Sequence, residues 1–547
     1  MLIRLMIQKY FYFALLVFCM LMLGSCSYME KVREYYEVPA LMTVPGEKVR
    51  QIDILDLKDV EQTKETKVVP VESELDDITL SLAECRAFTL ENNLDLRVQL
   101  INPSIAIEGV NQEEAKFEAI YSGKIEFNNT DMPQSSLLDG TGINQYTANI
   151  GVNMPLRTGG TLSFNIVDSR RKETSVWTLL NPSYYTAPSI SISQPLLRNA
   201  GRNVNTYRIR MAQYNSDIID TRTKLQAIRI IANVDITYWK LYATRKLLEV
   251  RKQQYDLSKA LFEQTKRFVE LGLKSKIEVI RTEASMAEKL EAIIKADNDV
   301  RDAERALKRM MNKKALGMRT KTIIVPATLP DPIHYKFDTN LVVNNATENR
   351  MELLELELQL AQDNSNIEYM KNQMLPIVTM EYQYNINALG EDRHGLYDML
   401  LDNDYNDHRF SLQFSIPLFN EAAKSNYRRA IFERTQRLAT KESKEAEIEN
   451  EVLNQIDKLE ANWQRIQASR QSIMLTDQQY QTEKKQYELG FASSTDVLDA
   501  QTKLAEAQIM EIVAIAEYQI ALVDLAYATG TLLGAAKVEL EPIVPNQ

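Results

Sequence analysis

The sequence predicts a mainly α-helical protein with a β-sheet portion, built as a twofold internal repeat of helices, strands and a long helical hairpin. Two single glycines, Gly272 and Gly490, carry this prediction because long glycine- and proline-free runs flank each of them. These runs are residues 202–271 and 273–312 in the first repeat, and 421–489 and 491–529 in the second. Helices commonly end at such a glycine. Two matching hairpins in one chain indicate an internal repeat.

The two hairpins align at a constant spacing. An offset of 218 residues places Gly272 on Gly490 and Glu278 on Asp496, with Leu-Gly at both reversals. A proline-leucine pair precedes each hairpin, Pro195-Leu196 in the first repeat and Pro417-Leu418 in the second. Apolar residues recur every three or four positions along the first long run, which is typical of a coiled-coil seam.

Between the helical patterns, apolar and polar residues alternate, which predicts strands. The predicted strands are Lys124–Phe127, Tyr146–Met154, Thr161–Val167 and Ser189–Ser193 in the first repeat, and Ile377–Ile386 and Phe410–Ile416 in the second. Alternation suits a half-buried soluble sheet, and it equally suits a membrane barrel with lipid-facing and lumen-facing side chains. The spacing alone does not separate these two alternatives.

The N-terminus is typical of a lipoprotein export signal. Arg4 and Lys9 precede an apolar stretch at 10–23, and Leu-Gly-Ser then leads to Cys26. A transmembrane anchor is the alternative, but the apolar run is shorter than the roughly 20 residues that a spanning helix needs. We therefore expect cleavage before Cys26 and lipidation of that cysteine.

These patterns divide the chain into six segments. They are a lipoprotein signal peptide at 1–25, a lipidated extended arm at 26–78, a first repeat at 79–325, a proline-rich linker at 326–338, a second repeat at 339–535 and a C-terminal tail at 536–547. Helical patterning begins at Thr79, and Ile323–Pro332 forms the clearest internal boundary.

Composition and motifs argue against enzymatic and nucleic-acid-binding functions. The formal net charge is −11, which disfavours a nucleic-acid partner. Phosphate-loop, zinc-protease and serine-hydrolase signatures are absent from the sequence, so we predict no enzyme, no cofactor and no metal site. Asp402, Asp404 and Asn406 imitate a calcium loop, but Asp407 replaces its glycine and Gln413 its closing glutamate. We interpret 391–408 as a solvated external loop.

From about Leu80 to Leu533, these residues resemble the TolC-like outer-membrane efflux proteins of the lipid-anchored type. The specific features are Gln194-Pro-Leu, Ile416-Pro-Leu, the two Leu-Gly tips and the order of elements in each repeat. The resemblance implies a homotrimer in which each chain gives four strands to a twelve-stranded outer-membrane barrel. The first repeat shows four predicted strands where two suffice, so either an extra hairpin extends outside the membrane or some of these strands are loop. The helical hairpins would form a periplasmic tunnel, opened by rearrangement of the hairpins with a periplasmic adaptor and an inner-membrane pump. The chain would then be a passive duct, anchored in outer-membrane lipid and extending into the periplasm.

The resemblance also implies functional residues at the hairpin tips. Asp496 and Asp499 match acidic residues that line the periplasmic entrance, where threefold symmetry would make each a ring; helix-start stabilisation is the alternative role. Glu278, Arg281, Tyr487 and Lys274 are candidate gate contacts, and Gly272 and Gly490 are the turns that would move. The family's tip arginine is replaced by Ala492, so the gate's bonding pattern differs here.

A second class of function also fits the patterns. A lipid-anchored periplasmic coiled-coil scaffold could carry the same helices, with its strands folded as a soluble domain. Conduction of ions by the purified protein distinguishes the duct from the scaffold. The sequence does not identify the exported substrate.

Overall fold

The structure, a computed structural model, describes residues 77–133, 140–175 and 177–536. Cys26, the predicted signal peptide and almost all of the predicted arm and C-terminal tail lie outside the described residues. The described helices are Leu82–Asn92 (α1), Leu94–Glu114 (α2), Arg202–Asn205 (α3), Tyr207–Glu270 (α4), Lys276–Met311 (α5), Thr339–Asn349 (α6), Met351–Gln373 (α7), Arg393–Asp402 (α8), Glu421–Glu488 (α9), Ser494–Ala528 (α10) and Leu532–Ala536 (α11). The described strands are Asp77–Leu80 (β1), Ile120–Asp131 (β2), Gly142–Pro155 (β3), Thr161–Glu173 (β4), Ser183–Pro195 (β5), Ile323–Pro326 (β6), Ile377–Ile386 (β7), Ala388–Gly390 (β8) and Asn406–Ser415 (β9).

The predicted long hairpins are confirmed. Helix α4 has 64 residues and α9 has 68. At a rise of 1.5 Å per residue each is roughly 100 Å long. The predicted seam on α4 is largely buried, with Ile231, Val234, Tyr238 and Leu241 in the core.

The long helices and their shorter neighbours form one layer. Towards the hairpin tips the order across the layer is α5, α4, α10, α9. Towards the sheet the order is α2, α4, α7, α9, because α2 and α7 replace the shorter hairpin arms. Thus α4 lies inside the layer at every level, whereas α2, α5 and α9 lie at its margins.

Seven of the described strands form one antiparallel sheet with the order β2-β3-β4-β5-β7-β9, and β8 pairs with the first residues of β5. All six predicted strands are confirmed. Ile377–Ile386 has its predicted bounds, and the other five are longer than predicted, although β9 ends one residue earlier, at Ser415. Closure into a barrel stays a prediction. The sheet of this chain contains six long strands, two more than the four barrel strands per chain that the resemblance implies. The reason is an additional hairpin, β2–β3, that hydrogen-bonds to β4 along the whole of β3.

A small two-stranded parallel sheet corrects two boundaries. Helical patterning does not begin at Thr79, since Asp77–Leu80 is strand β1 and the first helix starts after Ser81, which forms a capping box with Glu84. The segment predicted as the start of the proline-rich connector is strand β6, paired with β1. Its Ile-Ile-Val run is β-branched, and Ile324 is fully buried.

The segment 391–408 is not simply a loop. It contains helix α8, whose first turn is capped by Asp392, which accepts a hydrogen bond from the Gly395 N–H at 2.8 Å. Leu396 is fully buried and anchors the helix. The sequence did not predict this helix because most residues of 391–408 are polar and Leu396 alone is fully buried.

Candidate functional site

The two hairpin tips have the same backbone geometry. Each long helix ends in a Schellman turn, in which the N–H of Leu273 donates to Phe268 and the N–H of Phe491 donates to Gln486. The turn glycines have φ of +74° at Gly272 and +85° at Gly490. This left-handed backbone is easy only for glycine. The predicted turn residues are therefore located at the reversals.

A buried contact joins the two tips. The hydroxyl groups of Tyr487 and Thr265 lie 2.7 Å apart and share a hydrogen bond. The Phe268 ring packs against Tyr487 with centroids 5.9 Å apart, and the Lys274 ammonium lies 4.8 Å from the Tyr487 ring centroid. Lys274 also donates a 3.0 Å hydrogen bond to the carbonyl of Ala492. The side chain of one tip thus binds the backbone of the other.

A carboxylate makes the second connection between the tips. Glu278, on the first turn of α5, accepts hydrogen bonds from the hydroxyl and the N–H of Ser494 at the start of α10. Its other oxygen lies 3.1 Å from Arg281 on the same helix. A carboxylate held by a helix N-terminus and a guanidinium group is a charge-assisted arrangement. Of the predicted gate residues, Glu278, Tyr487 and Lys274 cross between hairpins, whereas Arg281 positions Glu278.

The two predicted entrance carboxylates are exposed and have local partners. Asp496 forms a capping box with Ser493, accepting from its hydroxyl at 2.7 Å and from its N–H at 2.9 Å. Asp499 lies 2.8 Å from the ammonium of Lys503, one turn further along α10. The local contacts of Asp496 therefore agree with the alternative role given above, which is to stabilise the start of a helix. The predicted ring role stays a prediction.

Two pKa shifts follow from these contacts. The hydroxyl of Ser493, and then its N–H, lower the pKa of Asp496 below the ordinary value. Burial raises the pKa of Tyr487, and the hydrogen bond with Thr265 opposes part of that rise. At neutral pH the tip therefore carries an ionised Asp496 and a protonated Tyr487.

The ends of both tips expose apolar side chains to solvent. Leu271, Leu273 and Leu489 are mostly exposed, and Phe491 is 84% exposed. Each flanks a turn glycine, so the four form one apolar rim around the joined tips. Exposed apolar residues grouped in this way are typical of a protein contact surface.

The sheet is a second surface with exposed apolar side chains. One face carries apolar side chains on all six long strands, and many of them are exposed. They include Ile125, Phe127, Ile150, Met154, Phe164, Ile166, Ile190, Ile192, Tyr382, Phe410, Leu412 and Phe414. The opposite face is mainly polar, with Asn149, Ser163, Ser191 and Gln413. The strand pairing places apolar residues of neighbouring strands side by side, for example Ile150 opposite Ile166.

Sequence reasoning missed three residues at the tips: Thr265, Phe268 and Ser494. Thr265 and Phe268 lie on the last turns of α4, and nothing in their local spacing distinguishes them from other seam residues. The sequence contained a weak signal for Ser494, because hydroxyl side chains at the start of a helix often form hydrogen bonds there. Their partners are more than 200 positions away in the chain.

In the described part of the chain, no group of three or more histidine, cysteine, aspartate or glutamate side chains is arranged to hold a metal ion. None of the described helices has an apolar stretch long enough to cross a membrane.

The sheet and the paired helical hairpins define a class of channel-like envelope proteins. The sequence profile described as outer membrane efflux protein matches residues 167–313 and 342–531. The chain belongs to this family, whose members are outer-membrane efflux channels. A search of curated proteins found no match.

Solved structures share the fold. The channel CusC is 13% identical with a TM-score of 0.62, and the alignment covers 82% of this chain and 92% of CusC. The Campylobacter jejuni outer membrane channel CmeC is 14% identical with a TM-score of 0.60, covering 82% and 85%. The open-state Neisseria gonorrhoeae channel MtrE is 16% identical with a TM-score of 0.58, covering 82% and 89%. At these identities the likeness concerns the fold alone.

Proposed function

We propose that three copies of this chain form a passive export duct of a tripartite efflux or secretion system. The duct crosses the outer membrane as a β-barrel and the periplasm as a helical tunnel. One observation carries the proposal: the sheet of six long strands and the short β8 has an exposed apolar face and is attached to a helical layer roughly 100 Å long.

The exposed face of the sheet favours a membrane barrel over the soluble domain of a scaffold. A soluble sheet buries its apolar face against another layer, because exposed apolar patches promote association. Here Phe164, Ile190 and Phe410 on that face are exposed. Lipid is a suitable environment for them, and closure into a barrel satisfies the backbone groups at the sheet edges.

The margins of the helical layer support assembly of several copies. Helix α2 exposes Leu94, Val98, Ile101 and Ile105, spaced four, three and four residues apart. That spacing is typical of a coiled-coil seam, and it faces away from the chain's own α4. At the other margin α9 exposes Ile431 and Phe432 among others. Contact between these margins in neighbouring copies would bury both.

The tips supply the proposed gate and the proposed docking point. The bonds of Tyr487 and Glu278 hold the two hairpins together, so their rupture would let the hairpins separate and the entrance widen. The apolar rim at Leu271, Leu273, Leu489 and Phe491 supports contact with a periplasmic adaptor. An inner-membrane pump would supply energy and select the substrate. The Leu-Gly-Ser-Cys sequence at 23–26 supports the proposed lipid anchor at Cys26.

Planar-bilayer recording of the purified full-length protein tests the proposal. We expect a trimer, measured by native mass, that conducts ions without added nucleotide. A monomeric protein that needs no detergent and does not conduct would overturn the duct in favour of the scaffold.

A further inference from the structure

We propose that the outer edge of β9 in one copy pairs with the outer edge of β2 in the next. The barrel of the assembled protein then has eighteen strands, from three copies of six, rather than twelve. The inference rests on the proposed function, since it takes the copy number from the trimeric duct. It concerns the interface between copies and the width of the barrel.

The six long strands form one uninterrupted sheet. Strand β2 pairs with β3 over its whole length, from Ile120 opposite Asn153 to Asp131 opposite Gly142. Strand β3 pairs in the same way with β4, from Ile143 opposite Glu173 to Pro155 opposite Thr161. The additional β2–β3 hairpin is therefore part of the wall and not an appendage beyond its rim.

The apolar band continues into the additional hairpin. In β4 and β3 the band contains the neighbours Phe164 and Val152. In β2 the same face carries Tyr121 opposite Val152, level with Phe164, and further along it carries Ile125 and Phe127. Tyr121 is 44% exposed and Ile125 is 89% exposed. In the rows of Ile125 and Phe127, β4 carries Asp168 and Arg170, so Tyr121 is the residue that supports placing β2 and β3 at lipid depth.

The two edge strands have the exposure expected of strands that lack a neighbour. Almost every residue of β2 and β9 is exposed, whereas the inner strands β3, β4 and β5 have mostly half-buried residues. Among the described strands, β2 pairs with β3 alone and β9 with β7 alone. A long edge with apolar side chains is a template for pairing with another chain.

The strand directions allow the edges to join. Each strand in the sheet is antiparallel to its neighbour, so the first and sixth strands of the path run in opposite directions. The contact between β9 and the β2 of the next copy is therefore antiparallel too. Membrane barrels of single chains have even numbers of antiparallel strands, and eighteen satisfies the same parity. The apolar faces also match, with Phe414 and Ile125 on the same side of the sheet.

A wider barrel follows. Barrel diameter grows roughly linearly with strand number, so eighteen strands give a lumen about one and a half times as wide as twelve. Barrels of 16–18 strands leave an aqueous channel. The joined hairpin tips then limit the size of the solutes that can enter the duct. Any solute that passes the tips also passes the barrel.

Cysteine cross-linking in the full-length protein in native membranes tests the seam. One cysteine replaces a lumen-facing β2 residue, Ser122 or Asn128, and the other replaces a lumen-facing β9 residue, Ser411 or Ser415. A bifunctional maleimide accommodates the shift in register between copies. The matched control combines the β9 cysteines with Ser163→Cys on β4, which lies two strands inside the edge. We expect ladders up to the trimer for the β2–β9 combinations and none for the control.

The outcomes separate this inference from the proposed function. Cross-links between β9 and β4 would mean that β2–β3 lies outside a twelve-stranded barrel, which would overturn the inference. A conducting preparation without β2–β9 cross-links, or one whose native mass is not that of three copies, would overturn it as well. A preparation that does not conduct at all refutes the duct itself.

Discussion

The hydroxyl groups of Thr265 and Tyr487 lie 2.7 Å apart at the junction of the two hairpin tips, and both side chains are fully buried. The residues are 222 positions apart in the chain. This contact, together with that of Glu278 with Ser494, joins the two repeats at the end remote from the sheet. The hydrogen bond from Lys274 to the Ala492 carbonyl is a third contact between the same two hairpins.

The first prediction concerns the Tyr487 hydroxyl. Tyr487→Phe removes one buried hydrogen bond but keeps the ring against Phe268, and Thr265 still donates to the Leu261 carbonyl. A bond of this kind contributes about 1 kcal/mol, so we expect roughly a fivefold rise in the ratio of open to closed channel. Single-channel recording measures that ratio. Tyr480→Phe, which removes the same atom two turns earlier in α9, is the control; equal effects of the two variants would exclude the gate role.

The second prediction concerns the turn glycine Gly490. An added Cβ there meets no atom within 4 Å, so Gly490→Ala tests the left-handed backbone alone. We expect a local destabilisation of about 1–2 kcal/mol, because an L-residue is strained at that φ. Hydrogen exchange of the tip amides measures it. Gly109→Ala, inside helix α2 with equally open space, should stabilise its helix by roughly 0.5–1 kcal/mol. A stabilised tip in Gly490→Ala would contradict the assigned geometry.

The third prediction concerns the pH dependence of the α10 helix start. The Ser493 hydroxyl and N–H lower the pKa of Asp496 in the folded protein. A carboxyl group with a lowered folded-state pKa stabilises the fold above its unfolded pKa of about 3.9, and that contribution is lost as the pH falls through the folded value. Exchange of the first-turn amides, corrected for intrinsic rate, should therefore be constant from neutral pH to about pH 5 and accelerate below about pH 4. Asp496→Asn keeps a hydrogen-bond acceptor but has no titrating group, so it should abolish the acceleration of exchange at low pH. If exchange in this variant still accelerates below about pH 4, another carboxyl group causes the pH dependence.

The fourth prediction concerns the proposed acidic entrance. Asp496→Ala combined with Asp499→Ala should weaken block of the channel by a trivalent cation applied from the tip side, since carboxylate rings attract cations in a constriction. Lys503→Gln should strengthen the block, because it frees Asp499 from its 2.8 Å ion pair.

Asp477→Ala is the matched control for this test. It removes an exposed carboxylate on α9 further from the tip, so block should be unchanged. If the double variant is blocked as strongly as the unsubstituted channel, these two residues do not form the entrance ring.

Local patterns were reliable wherever neighbours in the chain decide the structure. The hairpin reversals at Gly272 and Gly490 follow from a positive φ that glycine adopts easily. Six strands follow from alternation. The helix Arg393–Asp402 was missed because its anchor, Leu396, stands among polar residues and is buried only by tertiary packing. The strand Asp77–Leu80 was missed because its partner lies about 250 residues away.

The sequence by itself determined the twofold repeat, the long helices, the turn positions and the alternating strands, because these depend on backbone preference and on periodicity within a few residues. Only the tertiary structure decided that Glu278 binds Ser494, that Lys274 reaches the Ala492 carbonyl and that β2–β3 extends the sheet to six strands. Such contacts join segments far apart in the chain, and no local period encodes which distant segment a side chain or a strand edge will meet.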